Sequence, residues 1–538
     1  SGFTGPLLQR RSPTQMRKIL SKLFPLALAG AMLLSAVPAF ALWSDAYGDQ
    51  LTAVPTQLQE GAELVTETYW SDYYNDRRTE NYFTYSPSDS VQVVAYGGDT
   101  VTGKSTAMDA AEALSSEGWR VVAGINADFF DGNGTPTGIL ISGGEVLSSD
   151  GGNNAVGIKA DGSAIIGTPS LALRGSYNGE GSAYIAALNK ARNSYGGIYA
   201  YTYDFNAKHT TGTTEAGVDV ILEELWSEEF ADYSDEALEE EGIAAVPTIG
   251  KTAYYQVIEV VETAKGEATE IQPGQLVLSA NLNAAQEELS YLRGMEPGGV
   301  FGLSISAPNE MWNDVVEAVG GLYLLVKDGV AQSNFEATNA PRTAVGVKAN
   351  GDVVFYTVDG RKSGHSIGSS LGTLAQRLVE LGCVSAICLD GGGSTTAVAT
   401  LPDSTDPTLL NVPSDGAERK VSSFLFLLSD GTPTRDADHV YLAADSQHIM
   451  AGSSMEIRAN LVDTNYIPMR GEVDLDASDG TIRGNVFTAP DDGGEVTITG
   501  SAGGRRGTLT VNVVETPDEL QIQYNNEKLT SLTLQPGE

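Results

Sequence analysis

Residues 386–396 read Ala-Ile-Cys-Leu-Asp-Gly-Gly-Gly-Ser-Thr-Thr, an apolar strand that ends on a carboxylate, Asp390, and runs into three glycines and three hydroxyls. Three consecutive glycines cost backbone entropy and add no packing, which points to unusual main-chain angles or a close approach to another group. The amides of Gly391, Gly392 and Gly393 could face an anion as a backbone nest does. A tight turn after a buried strand is the plainer alternative.

Other residues offer compatible chemistry. Asn126 and Asp128 stand two apart on an extended segment and so point to one side; they suit sugar hydroxyls or a cation, or else cap a turn. Arg342, followed by the hydroxyl of Thr343, carries the planar fork that fits a phosphate, and a surface salt bridge is its ordinary alternative. His365 could serve as a general acid or base. Asp359 and Asp390 both end strands and precede glycine, and if those strands are neighbours the two carboxylates face one pocket, as glycoside cleavage requires; Asp-Gly is also an ordinary turn dipeptide. Residues 189–192 and 201–205 combine cationic and aromatic groups suited to a glycan phosphate.

The elements that must position these groups follow from periodicity. Residues 91–96 and 119–125 read as strands flanking a helix at 108–117. Hairpins are expected around Gly143-Gly144, around 160–163 and around Asn350-Gly351, the last joining strands 343–348 and 353–358. Leu371, Leu374, Ala375, Leu378 and Leu381 form a helical stripe over 370–381 ending at Gly382. The strand 384–389 leads to Asp390, and 421–428 is the last strand of this region. The acidic run 223–242 reads as a solvated excursion. The fold class expected is α+β, with mixed, largely antiparallel sheets and a few helices, followed by a small all-β immunoglobulin-like sandwich.

At the N-terminus a basic segment, an apolar stretch at 23–37 and Ala39-Phe40-Ala41 have the form of a signal peptide over 1–41, with 1–15 a mis-assigned start. This implies a secreted or cell-surface protein without a transmembrane segment in the mature chain. The chain holds 70 acidic and 32 basic residues, and losing the signal removes five of the basic ones; such acidity argues against nucleic acid as partner. Two cysteines, Cys383 and Cys388, exclude a disulfide scaffold. The domain boundaries expected are an arm at 42–89, a catalytic domain at 90–430, a sandwich at 437–515 and the start of a second, incomplete module at 516–538.

Together these blocks resemble the phosphodiester glycosidase family, which includes the uncovering enzyme that removes N-acetylglucosamine from phosphodiester-capped mannose. The resemblance rests on Gly124-Ile125-Asn126-Ala127-Asp128-Phe129-Phe130, Pro341-Arg342-Thr343-Ala344-Val345-Gly346, Val358-Asp359-Gly360-Arg361, Leu389-Asp390-Gly391-Gly392-Gly393-Ser394-Thr395-Thr396 and Glu418-Arg419-Lys420-Val421-Ser422-Ser423. It implies hydrolysis of a sugar 1-phosphodiester in phosphoglycans or cell-wall polymers. Asp390 is then acid, base or nucleophile, with Asp359 its partner and His365 beside them. Arg342, Thr343, Gly391 to Gly393, Ser394, Thr395, Arg361 and Arg419 hold the substrate, and Asn126 and Asp128 orient sugar hydroxyls. No cofactor is required, although Asp128 leaves room for a structural divalent cation, and the C-terminal modules suggest cell-wall association. Two competing readings are a non-catalytic glycan-binding surface module and a metal-dependent phosphodiesterase or phosphatase. The latter needs a dense ligand set that four scattered histidines do not supply.

Overall fold

The computed structural model describes residues 47–192, 196–225, 238 and 241–515, and the backbone of 522–524 and 527–529. The signal-like segment, most of the acidic run and most of the C-terminal restart lie outside the described residues. The fold is α+β with largely antiparallel sheets, and three α-helices are described: α1 (Ala107–Ser116), α2 (Gln286–Arg293) and α3 (Leu371–Glu380).

An eight-stranded sheet holds the strands that lead to Asp359 and Asp390 and the strand that Arg342 opens. Its order is Asp49–Gln59, Ala62–Ser71, Asp76–Tyr85, Val353–Val358, Arg342–Lys348, Cys383–Cys388, Leu324–Lys327 and Val330–Ala331. The hairpin expected at Asn350-Gly351 forms: Gly351 adopts φ +94°, which an L side chain rarely adopts, and Lys348 N donates to Asp352 O at 2.8 Å. The weakly periodic residues before Val91 supply three long strands, the last pairing with Val353–Val358 from Tyr85↔Val353 to Glu80↔Val358.

Helix α3 covers this sheet. Ser370 Oγ accepts from Thr373 N (3.1 Å) at its start, and Leu371, Leu374, Ala375 and Leu378 are buried, as the stripe requires. Its polar side is also used: Arg377 pairs with Glu80 at 2.8 Å and with Glu67, beneath the buried hydroxyls of Tyr47 and Tyr356.

A five-stranded sheet, Thr408–Leu409, Ala397–Ala399, Trp119–Asn126, Phe424–Asp430 and Gln92–Tyr96, supports the other side of the site. The last of the strands expected here starts at Phe424 instead of Val421. Residues 419–423 form a loop tied to the strand-end segment beyond Asn126, where Ala127 N donates to Ser423 O at 2.9 Å. Another five-stranded sheet contains Leu140–Ser142 and Ala155–Lys159. Seven strands between Ala172–Tyr177 and Val300–Ser306 close into a barrel filled by aliphatic and aromatic side chains.

From Ala437 the chain forms an all-β sandwich. One sheet holds Ala437–Ala444, Ser454–Asp463, Val486–Thr488 and Thr481–Arg483, the other His448–Met450, Arg505–Val514, Gly494–Ala502 and Asp474–Ala477. Val440, Phe487, Ile498 and Val511 are buried between them. Among the described residues no helix is long and apolar enough to cross a membrane.

Candidate active site

Strand geometry determines what meets what. Arg342 opens a strand whose neighbours, Val353–Val358 and Cys383–Cys388, both run antiparallel to it (Arg342↔Val358; Ala344↔Cys388). The strands ending near Asp359 and Asp390 are therefore parallel to each other with Arg342–Lys348 between them. They are not neighbours, and the two carboxylates part company.

Asp390 lies in a cleft of about 520 Å³ whose lining includes Gly391, Gly392, Gly393, Arg342, Arg361 and Arg419 together with Phe129, Tyr323, Phe335 and Glu336. Burial pushes the Asp390 carboxyl upward, against the pull of the Ser394 hydroxyl, Arg419 and the Gly391 amide. Asp359 is 2% exposed and turned inward. Its Oδ1 accepts from Asn411 Nδ2 (3.1 Å) and its Oδ2 from Val412 N (2.9 Å), while His365 Nε2 lies 2.7 Å from Oδ2. Neither Asp359 nor His365 lines the cleft. The pair braces the loop after Val358, with Ser366 Oγ donating to Asp359 O at 2.6 Å.

The three arginines differ. Arg342 donates Nε to Ser369 O (2.9 Å) and Nη2 to Thr338 O (2.7 Å). Burial lowers its pKa, and the nearby guanidinium of Arg361 adds to this. Arg361 has no carboxylate within ion-pair distance among the described residues; Arg419 pairs with Asp415 at 2.7 Å and donates to Ser394 Oγ at 3.3 Å.

The glycine run makes room for these side chains. Gly392 N donates to Pro341 O (2.8 Å) and the Gly391 amide serves Asp390, so two of the three amides are already taken. What the glycines give is clearance. A Cβ on Gly393 would sit 2.1 Å from Arg419 Nη2, and one on Gly392, where φ is +63°, would lie 3.2 Å from Arg361 Nη1.

Asn126 is fully buried and works on the main chain. Its Nδ2 donates to Asp390 O (2.6 Å), and its Oδ1 accepts from Thr343 Oγ1 (2.8 Å) and Thr396 N (3.0 Å). Thr343, Ser394 and Thr395 are likewise buried. Asp128 is interior, its Oδ2 accepting from Gly138 N at 2.6 Å. Among the described residues no group of three or more His, Cys, Asp or Glu side chains forms a metal cluster.

The cationic and aromatic groups of 189–192 and 201–205 disperse. Arg192 serves Ser279 Oγ (2.8 Å) and Asp219 inside the barrel, Asn189 Nδ2 donates to Leu147 O (2.8 Å), and Lys190 turns to the segment beside Asp128. Sequence reasoning missed Tyr323, Phe335, Glu336, Asn411 and Asp415. Phe335 and Glu336 lie in an aperiodic stretch with no strand or helix to orient them. Asn411 and Asp415 lie in a Pro/Asp-rich loop whose only signal was its composition.

The sequence model of the phosphodiester glycosidase family matches residues 255–428, which include every cleft residue named above except Phe129. No curated protein matches the chain. A hypothetical protein from Synechocystis has a similar structure, with TM-score 0.54 and 19% identity over 70% of this chain and 64% of its own. The chain thus spans less than two thirds of that relative, and the likeness shows a common fold. An exported protein from Burkholderia pseudomallei gives TM-score 0.48 at 18% identity over 66% and 74% of the two chains. The zebrafish N-acetylglucosamine-1-phosphodiester alpha-N-acetylglucosaminidase catalytic domain, auto-inhibited by its pro-peptide, gives 0.34 at 15% over 70% and 87%. The family's own sequence model thus meets the motif resemblance at four of its five blocks, 341–346, 358–361, 389–396 and 418–423, and leaves the block at 124–130 outside the match.

Proposed function

We propose that the chain is an extracellular hydrolase that cleaves a sugar 1-phosphodiester, freeing the sugar and leaving a phosphomonoester. One observation carries this reading. A protein with 70 acidic and 32 basic residues gathers three arginines in the cleft that holds Asp390, and two of them, Arg342 and Arg361, have no carboxylate partner among the described residues. Guanidinium forks stabilise the charge on a departing phosphate, so the leaving group needs charge neutralisation more than a proton. Asp390, at the rim of the glycine run, acts at the anomeric carbon, as nucleophile or as base for water. Phe129, Tyr323 and Phe335 offer an apolar wall to the sugar ring. The substrate class is a phosphoglycan or cell-wall polymer. Residues 1–41 direct export, and the C-terminal sandwich is an immunoglobulin-like attachment module.

The test is turnover of an N-acetylglucosamine 1-phosphodiester or a UDP-sugar, read as free sugar plus phosphomonoester. Wild type turns over and Asp390→Asn does not; an Asp390→Asn protein with intact fold and full turnover would sink the assignment. Binding without product would favour a glycan-binding module, and loss of activity with a chelator a metal-dependent phosphodiesterase.

A further inference from the structure

Part of the eight-stranded sheet runs on past the cleft. Arg342 opposes Val358 and Val358 opposes Glu80, but the hairpin of Ala62–Ser71 and Asp76–Tyr85 continues from Glu80 to its last pair, Ser71↔Asp76. At about 3.3 Å per residue and about 4.8 Å per strand, its tip stands on the order of 15 Å from Arg342, at the same end of the sheet. The tip reads Asp72-Tyr73-Tyr74-Asn75, with Asn75 at φ +52°, a left-handed position that asparagine tolerates.

Two rings stand in solvent there. Tyr73 is 82% exposed and Tyr74 45%, and they meet edge to face at 4.8 Å. A single exposed ring is ordinary surface, whereas a paired one on a braced tip offers a sugar an apolar face.

The brace is the loop that carries Arg361. Asp76 accepts from Gly364 N (3.1 Å), Ile367 N donates to Arg77 O (2.9 Å) and Thr79 Oγ1 donates to His365 O (3.1 Å). Tyr74 lies against the buried guanidinium of Arg78 (5.4 Å), whose Nε donates to Gly368 O (3.1 Å); the next carbonyl, Ser369 O, accepts from Arg342 Nε (2.9 Å). Ring and cleft arginine are thus joined through two successive carbonyls.

The charges suit a phosphate. Arg77 beside the tip and Lys362 beside Arg361 are exposed, and neither has a carboxylate within ion-pair distance among the described residues. The tip's own acids are engaged by N–H groups, Asp72 by the Trp70 indole (3.0 Å) and Asp76 by Gly364 N and Arg77 N (2.7 Å). Free cations beside rings repeat the combination in the cleft, whose lining includes Arg361, Tyr323 and Phe335.

We propose that Tyr73 and Tyr74, with Arg77 and Lys362, form a second subsite that holds a distal unit of a sugar-phosphate polymer while its scissile 1-phosphodiester lies at Asp390. The rings take a sugar face and the cations a phosphate of the chain. The inference rests on the hydrolase reading above and narrows its substrate to a polymer.

The test compares an oligomer of N-acetylglucosamine joined through 1-phosphodiesters with UDP-N-acetylglucosamine, which is too short to reach the tip. In Tyr73→Ala/Tyr74→Ala the ratio of kcat/KM for the oligomer to that for the UDP-sugar should fall about tenfold, and Tyr73→Phe/Tyr74→Phe should restore it. An unchanged ratio overturns the subsite. Calorimetric titration of Asp390→Asn with the oligomer needs no turnover. Affinity about tenfold weaker without the tyrosines supports the subsite; equal affinity, or no binding of the oligomer, overturns it. A dimer that the alanine variant abolishes, with oligomer binding unchanged, would assign the tip to a second copy of the chain. If wild type turned over neither substrate the hydrolase reading would fail, while the titration still judges the subsite.

Discussion

Asn126 holds Asp390 by its backbone, donating Nδ2 to the Asp390 carbonyl at 2.6 Å from a position fully removed from solvent. The same amide accepts from Thr343 Oγ1 and Thr396 N, so one side chain ties together a strand end, a neighbouring strand and the segment after the glycine run. Asn126→Ala leaves these groups buried without partners, each at about 1–3 kcal/mol. Thermal unfolding should show a large fall in Tm. Asn126→Asp, which cannot donate to the Asp390 carbonyl, should also fall.

Arg361 lies beside Gly392 with no carboxylate partner among the described residues. Arg361→Gln should leave Tm nearly unchanged and raise KM for a phosphodiester substrate by roughly 10- to 100-fold, the worth of a charged hydrogen bond. Steady-state kinetics at low and high salt checks this; wild type should lose affinity as salt rises, and the variant less so.

Gly393→Ala places a Cβ 2.1 Å from Arg419 Nη2 and 2.3 Å from Asp415 Oδ2. The arginine is the far end of a flexible side chain, so the fold should tolerate the change while Arg419 moves off the cleft. Turnover should drop at least about tenfold, which is 1.4 kcal/mol of transition-state binding, with circular dichroism unchanged. Wild-type kinetics in the variant would exclude Arg419 from the site.

Asp359→Asn and Asp390→Asn should separate stability from chemistry. The first disrupts a buried carboxylate with three polar neighbours and should lower Tm while the surviving folded fraction keeps its turnover. The second removes a strained charge and should leave Tm equal or higher with turnover lost. Activity normalised to folded protein distinguishes the two.

Burial, aided by the neighbouring Glu80, pushes Glu67 up to about 7 beneath helix α3. A carboxyl raised on folding contributes stability that is complete below its unfolded range and is lost as pH rises through the folded value. Tm should therefore decline between about pH 4 and 7 through this group, and Glu67→Gln should flatten part of that decline in a pH series of melting curves.

Local signals carried much of the fold. The stripe Leu371, Leu374, Ala375 and Leu378, the Ser370 cap and the Asn350-Gly351 turn each act over a few residues and appear as read. The site was legible in its components, because Arg342, Arg361, Asp390, the glycines and Arg419 share the cleft. The pairing of Asp359 with Asp390 was not legible. Strand order decides it, and nothing in residues 353–390 states that Arg342–Lys348 lies between their strands. The glycines likewise advertised close approach without saying to what, and the arginine side chains they make room for come from about 30 positions away in one case and 26 in the other.

The bond from Asn126 to Asp390 spans 264 residues, with the whole barrel threaded between its ends. A chain emerging from the ribosome or from a translocation pore has no cleft until the second end arrives, however well the early strands are formed. Such a topology slows folding and lengthens the interval in which apolar strand edges stand open. Assembly of the site is thus a late event, so a pulse-labelled chain should acquire its compact, protease-resistant sheet first and its substrate-binding ability last.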